Sequence, residues 1–137
     1  MSRYVLDTSA YSHFKRGDPK AAELIDGADW LGMPAITVGE LEIGFLLAGP
    51  KRLEENRTQL RDFMDNAIVE RLGLDHDVSR IYAEIVVDLR KEGTPVPTND
   101  VWIAAVASRA GATVLTYDDH FRLIRRVGSL VLPLPSR

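Results

Sequence analysis

Four acidic residues stand where this sequence could do chemistry with them. They are Asp7 in RYVLDTSAYS, Glu40 in TVGELEIGF, Asp100 in DVWIAAVA and Asp118 in TYDDHF. Each has an ordinary account. Asp7 can cap a helix by accepting from its free N–H groups. Thr37 and Glu40 have the spacing of a capping box. Asp100 fits a helix first turn, where the macrodipole favours negative charge. Asp118 can cap a short helical turn. Capping explains these positions singly but not why three of them follow apolar runs and a fourth opens a helix. Brought together, ionised carboxylates repel one another and call for a cation. There is no cysteine and no close pair of histidines, so the donors are hard oxygens suited to magnesium or manganese rather than zinc. Such a set fits metal-assisted hydrolysis of a phosphodiester.

The elements that must position these acids read as alternating short strands and helices. Strands are expected over residues 4–6, 31–36, 67–72, 113–115 and 129–132. Pro34 is awkward in mid-strand and is placed near the strand's start. Helices are expected over 8–15, 20–26, 37–48, 51–66, 75–91 and 98–110, with Glu40 in the first turn of its helix and Thr98 or Asn99 capping the last. The clearest helix is 75–91, where Val78, Ile81, Tyr82, Ile85 and Leu89 form one apolar stripe. Short apolar strands separated by helices imply parallel pairing with helices on both faces. In such a sheet functional groups gather past the carboxyl ends of the strands, where Asp7, Glu40 and Asp118 fall.

The chain has 137 residues, enough for one domain with a sizeable core. No signal peptide or membrane span is expected, and the lack of cysteine is compatible with a reducing cytoplasm. With 17 Lys and Arg against 20 Asp and Glu, the net charge is −3. A nucleic-acid binder working by phosphate neutralisation alone is usually basic. Any nucleic-acid role here needs bound cations or a local basic patch.

Four motifs in series carry a resemblance: VLDTSA (5–10), ITVGELEIG (36–44), TNDVWIAAVA (98–107) and LTYDDHF (115–121). With them the chain resembles a PIN domain, specifically the VapC-type toxins of type II toxin–antitoxin systems, over nearly its whole length. The resemblance implies a single α/β domain over 1–137, a PIN-like three-layer sandwich with a mostly parallel central sheet and helices on both faces. It implies a magnesium-dependent endoribonuclease toxin, one or two ions per site, with manganese able to substitute. It assigns Asp7, Glu40, Asp100 and Asp118 to the catalytic, metal-binding set. The family pattern Thr-x-Asp-x-His-Phe gives Thr116 and Asp118 the functional slots and leaves Asp119 on a variable one. The implied partners are an RNA substrate, a small DNA-binding antitoxin and a second copy of the chain; no membrane is implied. A housekeeping PIN-type nuclease without antitoxin and a non-catalytic PIN-like module are the alternatives. A receiver domain would need a lysine after a later strand, and the segment after Leu115 offers none.

The neighbouring residues divide similarly. Thr8 and Ser9 either hydrogen-bond the acids or cap the first helix; Asn99 has the same two readings. His120, beside Phe121, reads as a packing or surface residue rather than a general base. Glu42 points away from Glu40 and is solvated or paired. Trp30, Trp102 and Ile103 read as structural. Lys15, Arg16 and Arg122 lie nearest the acids in sequence and are the best phosphate contacts. Phe45, Leu46 and Leu47 supply more apolar area than one stripe needs, and the resemblance makes the helical pair 37–48 and 51–66 the dimer and antitoxin surface.

Overall fold

The computed structural model describes residues 1–136. Strands β1 (Arg3–Leu6), β2 (Trp30–Pro34), β3 (Val69–Leu72), β4 (Thr113–Thr116) and β5 (Ser129–Val131) form one sheet. Its order is β3-β2-β1-β4-β5, and every pairing is parallel. The helices are α1 (Thr8–Lys15), α2 (Pro19–Asp26), α3 (Ala35–Leu47), α4 (Pro50–Met64), α5 (His76–Glu92) and α6 (Thr98–Ala110). A 3-10 turn covers Asp119–Leu123.

Alternation along the strands gives the sheet two apolar faces. Val5 and Val114 point to one face, where they pack with Ile85 and Leu89 of α5, with α6 and with Phe121. Leu6 and Leu115 point to the other, with Leu31, Met33, Tyr11 of α1, Ile25 of α2, Leu41 of α3 and Leu60 of α4. The three layers expected from the sequence are therefore present. Val101 and every residue from Ile103 to Ala107 are buried, so α6 is covered nearly all round. The alanines let it lie close between the sheet and α5.

The connections create the place for a site. From β1 the chain steps through β2 to β3 in one direction, then crosses back to β4 on the other side of β1. The carboxyl ends of β1 and β4 flank this switch point, where open α/β sheets form their crevices.

Three local expectations are corrected. Pro34 ends β2 rather than starting it, and α3 begins at Ala35. Pro34 has φ −64 and ψ 143, so its ring-fixed φ serves as the turn into the helix. No capping box forms between Thr37 and Glu40. Thr37 lies inside α3 and donates to the Leu6 carbonyl at 2.9 Å, while Glu40 falls in the second turn. Likewise Pro97, not Thr98 or Asn99, stands at the start of α6, without a side-chain cap.

Gly32 sits under Trp30 and Leu72 on the α5–α6 face. A Cβ there would meet Leu72 Cδ1 and the Trp30 ring at 2.6 Å. Trp30 is held in turn by the Arg3 guanidinium, 4.2 Å from its ring centre. Gly32→Ala should therefore lower stability by about 1–3 kcal/mol through overpacking, read as a fall in the urea midpoint at unchanged slope.

Candidate active site

Asp7 leaves β1 with extended backbone and starts α1. Its Oδ1 accepts from the Ala10 N–H at 2.9 Å, so the cap is real. The carboxylate does more than cap. Oδ1 also accepts from Ser9 Oγ at 2.8 Å, and Oδ2 accepts from Thr116 Oγ1 at 2.5 Å. Only 4% of Asp7 is exposed. Burial pushes its carboxyl above the usual range and the Asp118 charge adds to that; the bonds from Thr116, Ala10 and Ser9 oppose it.

Thr116 ends β4, fully buried. While donating to Asp7, its hydroxyl accepts the Asp118 N–H at 2.9 Å. Ser9 Oγ accepts the Tyr117 N–H at 2.9 Å. Two hydroxyls thus stitch the end of β1 to the end of β4 and aim the Asp118 backbone. Asp118 opens the 3-10 turn, accepting from the His120 N–H at 2.9 Å. Glu40 reaches in from α3 and accepts from Thr8 Oγ1 at 2.7 Å, with the Asn99 amide 3.4 Å from its other oxygen. Asp100, in the first turn of α6, has its carboxyl pushed up to about 6. The causes are burial first, then the charges of Asp118, Asp7 and Glu40, with His120 acting in the opposite sense.

The structure therefore brings Asp7, Glu40, Asp100 and Asp118 into one electrostatic neighbourhood, with Thr8, Ser9, Asn99 and Thr116 bonded to its members. It leaves Asp119 outside, paired with Arg122 on the surface. Glu42 makes a two-pronged pair with Arg57. Lys15 and Arg16 remain exposed at the end of α1. Trp102 stacks on Tyr82 at 3.8 Å, a packing role.

His120 is exposed, as the surface reading expects, and it also faces two of the acids. Its Nδ1 lies 3.0 Å from Asp118 Oδ1 and 3.6 Å from Asp100 Oδ2. The available signal was the Asp118-x-His120 spacing, which a 3-10 turn folds back on itself. Asp100, Asp118 and His120 each offer a donor atom within 4.8 Å of the others. Two carboxylates and an imidazole, with the Asp7 and Glu40 charges alongside, suit a divalent cation such as magnesium or manganese.

Acids gathered past the strand ends at the switch point of a parallel sheet suit a metal-dependent hydrolase. Residues 4–127 match the PIN domain family, and the chain belongs to that family. It is 36% identical over 122 residues to ribonuclease VapC4 of Mycobacterium tuberculosis, covering 87% of this chain and 88% of the relative. To ribonuclease VapC5 of the same organism it is 32% identical over 126 residues, covering 92% and 90%. Among solved structures it is similar to VapBC-5 of Mycobacterium tuberculosis, described as a member of the VapBC family of toxin–antitoxin systems. That match has a TM-score of 0.75 at 29% identity and covers 96% of this chain and 100% of the other.

The raised carboxyl of Asp100 has a measurable consequence. Without metal the native protein takes up this proton near pH 6, whereas the unfolded chain does so near 3.8. Its contribution to stability in EDTA therefore grows as pH falls from about 6 towards 4 and is lost as pH rises back through that window. Asp100→Asn removes the dependence. At pH 7 in EDTA the variant should be more stable than wild type by about 1–2 kcal/mol after allowance for solvent screening. Urea melts of both proteins at pH 5 and 7 check this.

Proposed function

We propose that this protein is a metal-dependent endoribonuclease acting as the toxin of a toxin–antitoxin pair, with Asp7, Glu40, Asp100 and Asp118 as its catalytic acids. The observation that carries the reading is their convergence at the β1–β4 switch point, in a PIN-domain chain similar to VapC ribonucleases. Asp100, Asp118 and His120 would hold a magnesium or manganese ion, one or two per site, with Asp7 beside them. A bound ion would activate water and offset the negative charge that develops on phosphate.

The chain's own residues do the rest. Ser9 and Thr116 lock the Asp7 carboxylate between two strand ends, and Thr8 orients Glu40. Because both ends are fixed by hydrogen bonds, little reorganisation accompanies the reaction. Lys15 and Arg16, exposed at the end of α1 and in no ion pair among the described residues, are the phosphate contacts favoured here; Arg122 is engaged by Asp119. The cation supplies the positive charge that a chain of net charge −3 lacks. The absence of cysteine fits action in the cytoplasm, and among the described residues no helix is long and apolar enough to cross a membrane.

The partner surface is on α3. Ile43, Leu46 and Leu47 are 61%, 60% and 83% exposed, an apolar strip left uncovered by the described residues. Phe45, expected on that surface, is half-buried against the α1–α4 core. Its place is taken by Ile43, one helical turn before Leu46 and Leu47. The strip suits a second copy of the chain and the antitoxin's apolar segment.

With magnesium or manganese the purified protein should cleave RNA, and EDTA should stop it. Asp7→Asn and Asp100→Asn should each cost at least ~100-fold, because each removes charge held at the reacting phosphate. A gel assay on total RNA reads both; activity surviving EDTA or both substitutions would sink the mechanism.

Size exclusion at micromolar concentration should give a dimer. Leu47→Glu should shift it to monomer while changing stability by no more than ~0.5 kcal/mol, as expected of an exposed site. A dimer that tolerates the charge would remove α3 from the interface.

A further inference from the structure

Thr37 is fully buried, and its hydroxyl donates to the Leu6 carbonyl at 2.9 Å. The sheet explains why that carbonyl needs it. Trp30 N–H donates to the Ser2 carbonyl at 3.2 Å, and in a parallel ladder β2 then offers every second N–H to β1. The Asp7 N–H turns the other way, towards the Leu115 carbonyl. Across a trans peptide this leaves the Leu6 carbonyl on the β2 side. One step beyond the Val5–Gly32 pair, the donor that should meet it belongs to residue 34. That residue is proline, which has no N–H. The Thr37 hydroxyl, from the first turn of α3, replaces the missing donor.

The replacement bears on both acids. Leu6 immediately precedes Asp7, and Thr37 lies three residues before Glu40 on the same helix. We propose that Thr37 is a positioning residue, whose bond to Leu6 fixes α3 against the end of β1 and thereby sets the separation of Asp7 and Glu40 for a divalent cation. The inference rests on the nuclease reading above. It assigns Thr37 a role separate from the hydroxyls that touch the carboxylates themselves. A ladder N–H would have joined two strands only; a helix hydroxyl joins the strand to the element carrying the second acid.

The test compares wild type, Thr37→Ser, Thr37→Val, Pro34→Ala and the Pro34→Ala/Thr37→Val double variant, measuring manganese binding by calorimetry and RNA cleavage in parallel. Valine keeps the shape and removes the hydroxyl. Thr37→Val should bind manganese ~10-fold more weakly, the usual scale for groups that orient ligands, and Thr37→Ser should stay within about threefold of wild type. The double variant should bind manganese ~10-fold more weakly than Pro34→Ala, because alanine returns an N–H to the ladder without tying α3 to the end of β1. On a Glu40→Gln background, Thr37→Val should cost little more, since its effect runs through Glu40. An equal loss on both backgrounds, or unchanged affinity in Thr37→Val while wild type binds and cleaves, overturns the inference alone. A wild type that neither binds manganese nor cleaves RNA overturns the nuclease reading and the inference with it. Should Thr37→Val fail to fold, the double variant against Pro34→Ala decides: equal manganese affinity in the two overturns the inference.

Discussion

The carboxylate of Asp7 is buried to within 4% of complete exclusion from solvent, at the point where two strands end and a helix begins. A charge so placed is unfavourable unless its oxygens are satisfied. Ala10, Ser9 and Thr116 satisfy them from three directions, and each bond also fixes an element. Ala10 lies in the first turn of α1, Ser9 holds the Tyr117 backbone, and Thr116 holds the Asp118 backbone. The network that makes this carboxylate tolerable therefore determines where the neighbouring acid stands. Removing a hydroxyl would both weaken a hydrogen bond and loosen the crevice.

The two cores serve this edge unequally. The α1–α4 face supplies Asp7 and Glu40, while the α5–α6 face supplies Asp100 at the tip of a buried helix. Asp118 and His120 come from the turn after β4, whose Phe121 is anchored in the α5–α6 core. At the acid site, residues committed to opposite faces of the sheet meet. Burying α6 nearly all round leaves it no freedom to slide. The rise of the Asp100 carboxyl to about 6 comes first from its burial there and then from the like charges of Asp118, Asp7 and Glu40.

Much of this was legible in the sequence. The α5 stripe of Val78, Ile85 and Leu89 is buried as its spacing requires, and the resemblance to VapC-type PIN domains agrees with the family match. The grouping of Asp7, Glu40 and Asp118 was legible because short apolar runs in an α/β pattern all end on one edge, and the resemblance added Asp100 from a helix start. What local sequence could not separate is a cap from a site. Asp75 shows this: its Oδ1 accepts the Val78 N–H at 2.8 Å, the same i to i+3 bond that Asp7 makes. Asp75 is exposed and has no further duty. The difference lies in Thr116, more than a hundred residues from Asp7 in the chain. His120 was unreadable for a similar reason, since its neighbours Asp100 and Asp118 meet only when α6 and the β4 turn are packed.

The helix starts were misread because proline does there what a polar cap does elsewhere. Both helices that bring an acid in from the flanks, α3 with Glu40 and α6 with Asp100, begin at a proline with extended ψ and no side-chain cap. A residue that capped its own helix would spend its side chain locally. Pro34 and Pro97 instead fix the backbone's entrance to each helix by ring geometry. Thr37, Glu40, Asn99 and Asp100 are then free to reach other elements: Thr37 to Leu6, Glu40 to Thr8, Asn99 to Glu40 and Asp100 towards His120. At β1 the economy runs the other way, because Asp7 both caps and faces the crevice. That double duty is affordable only where a buried carboxylate has oxygens enough for cap, hydroxyls and cation together.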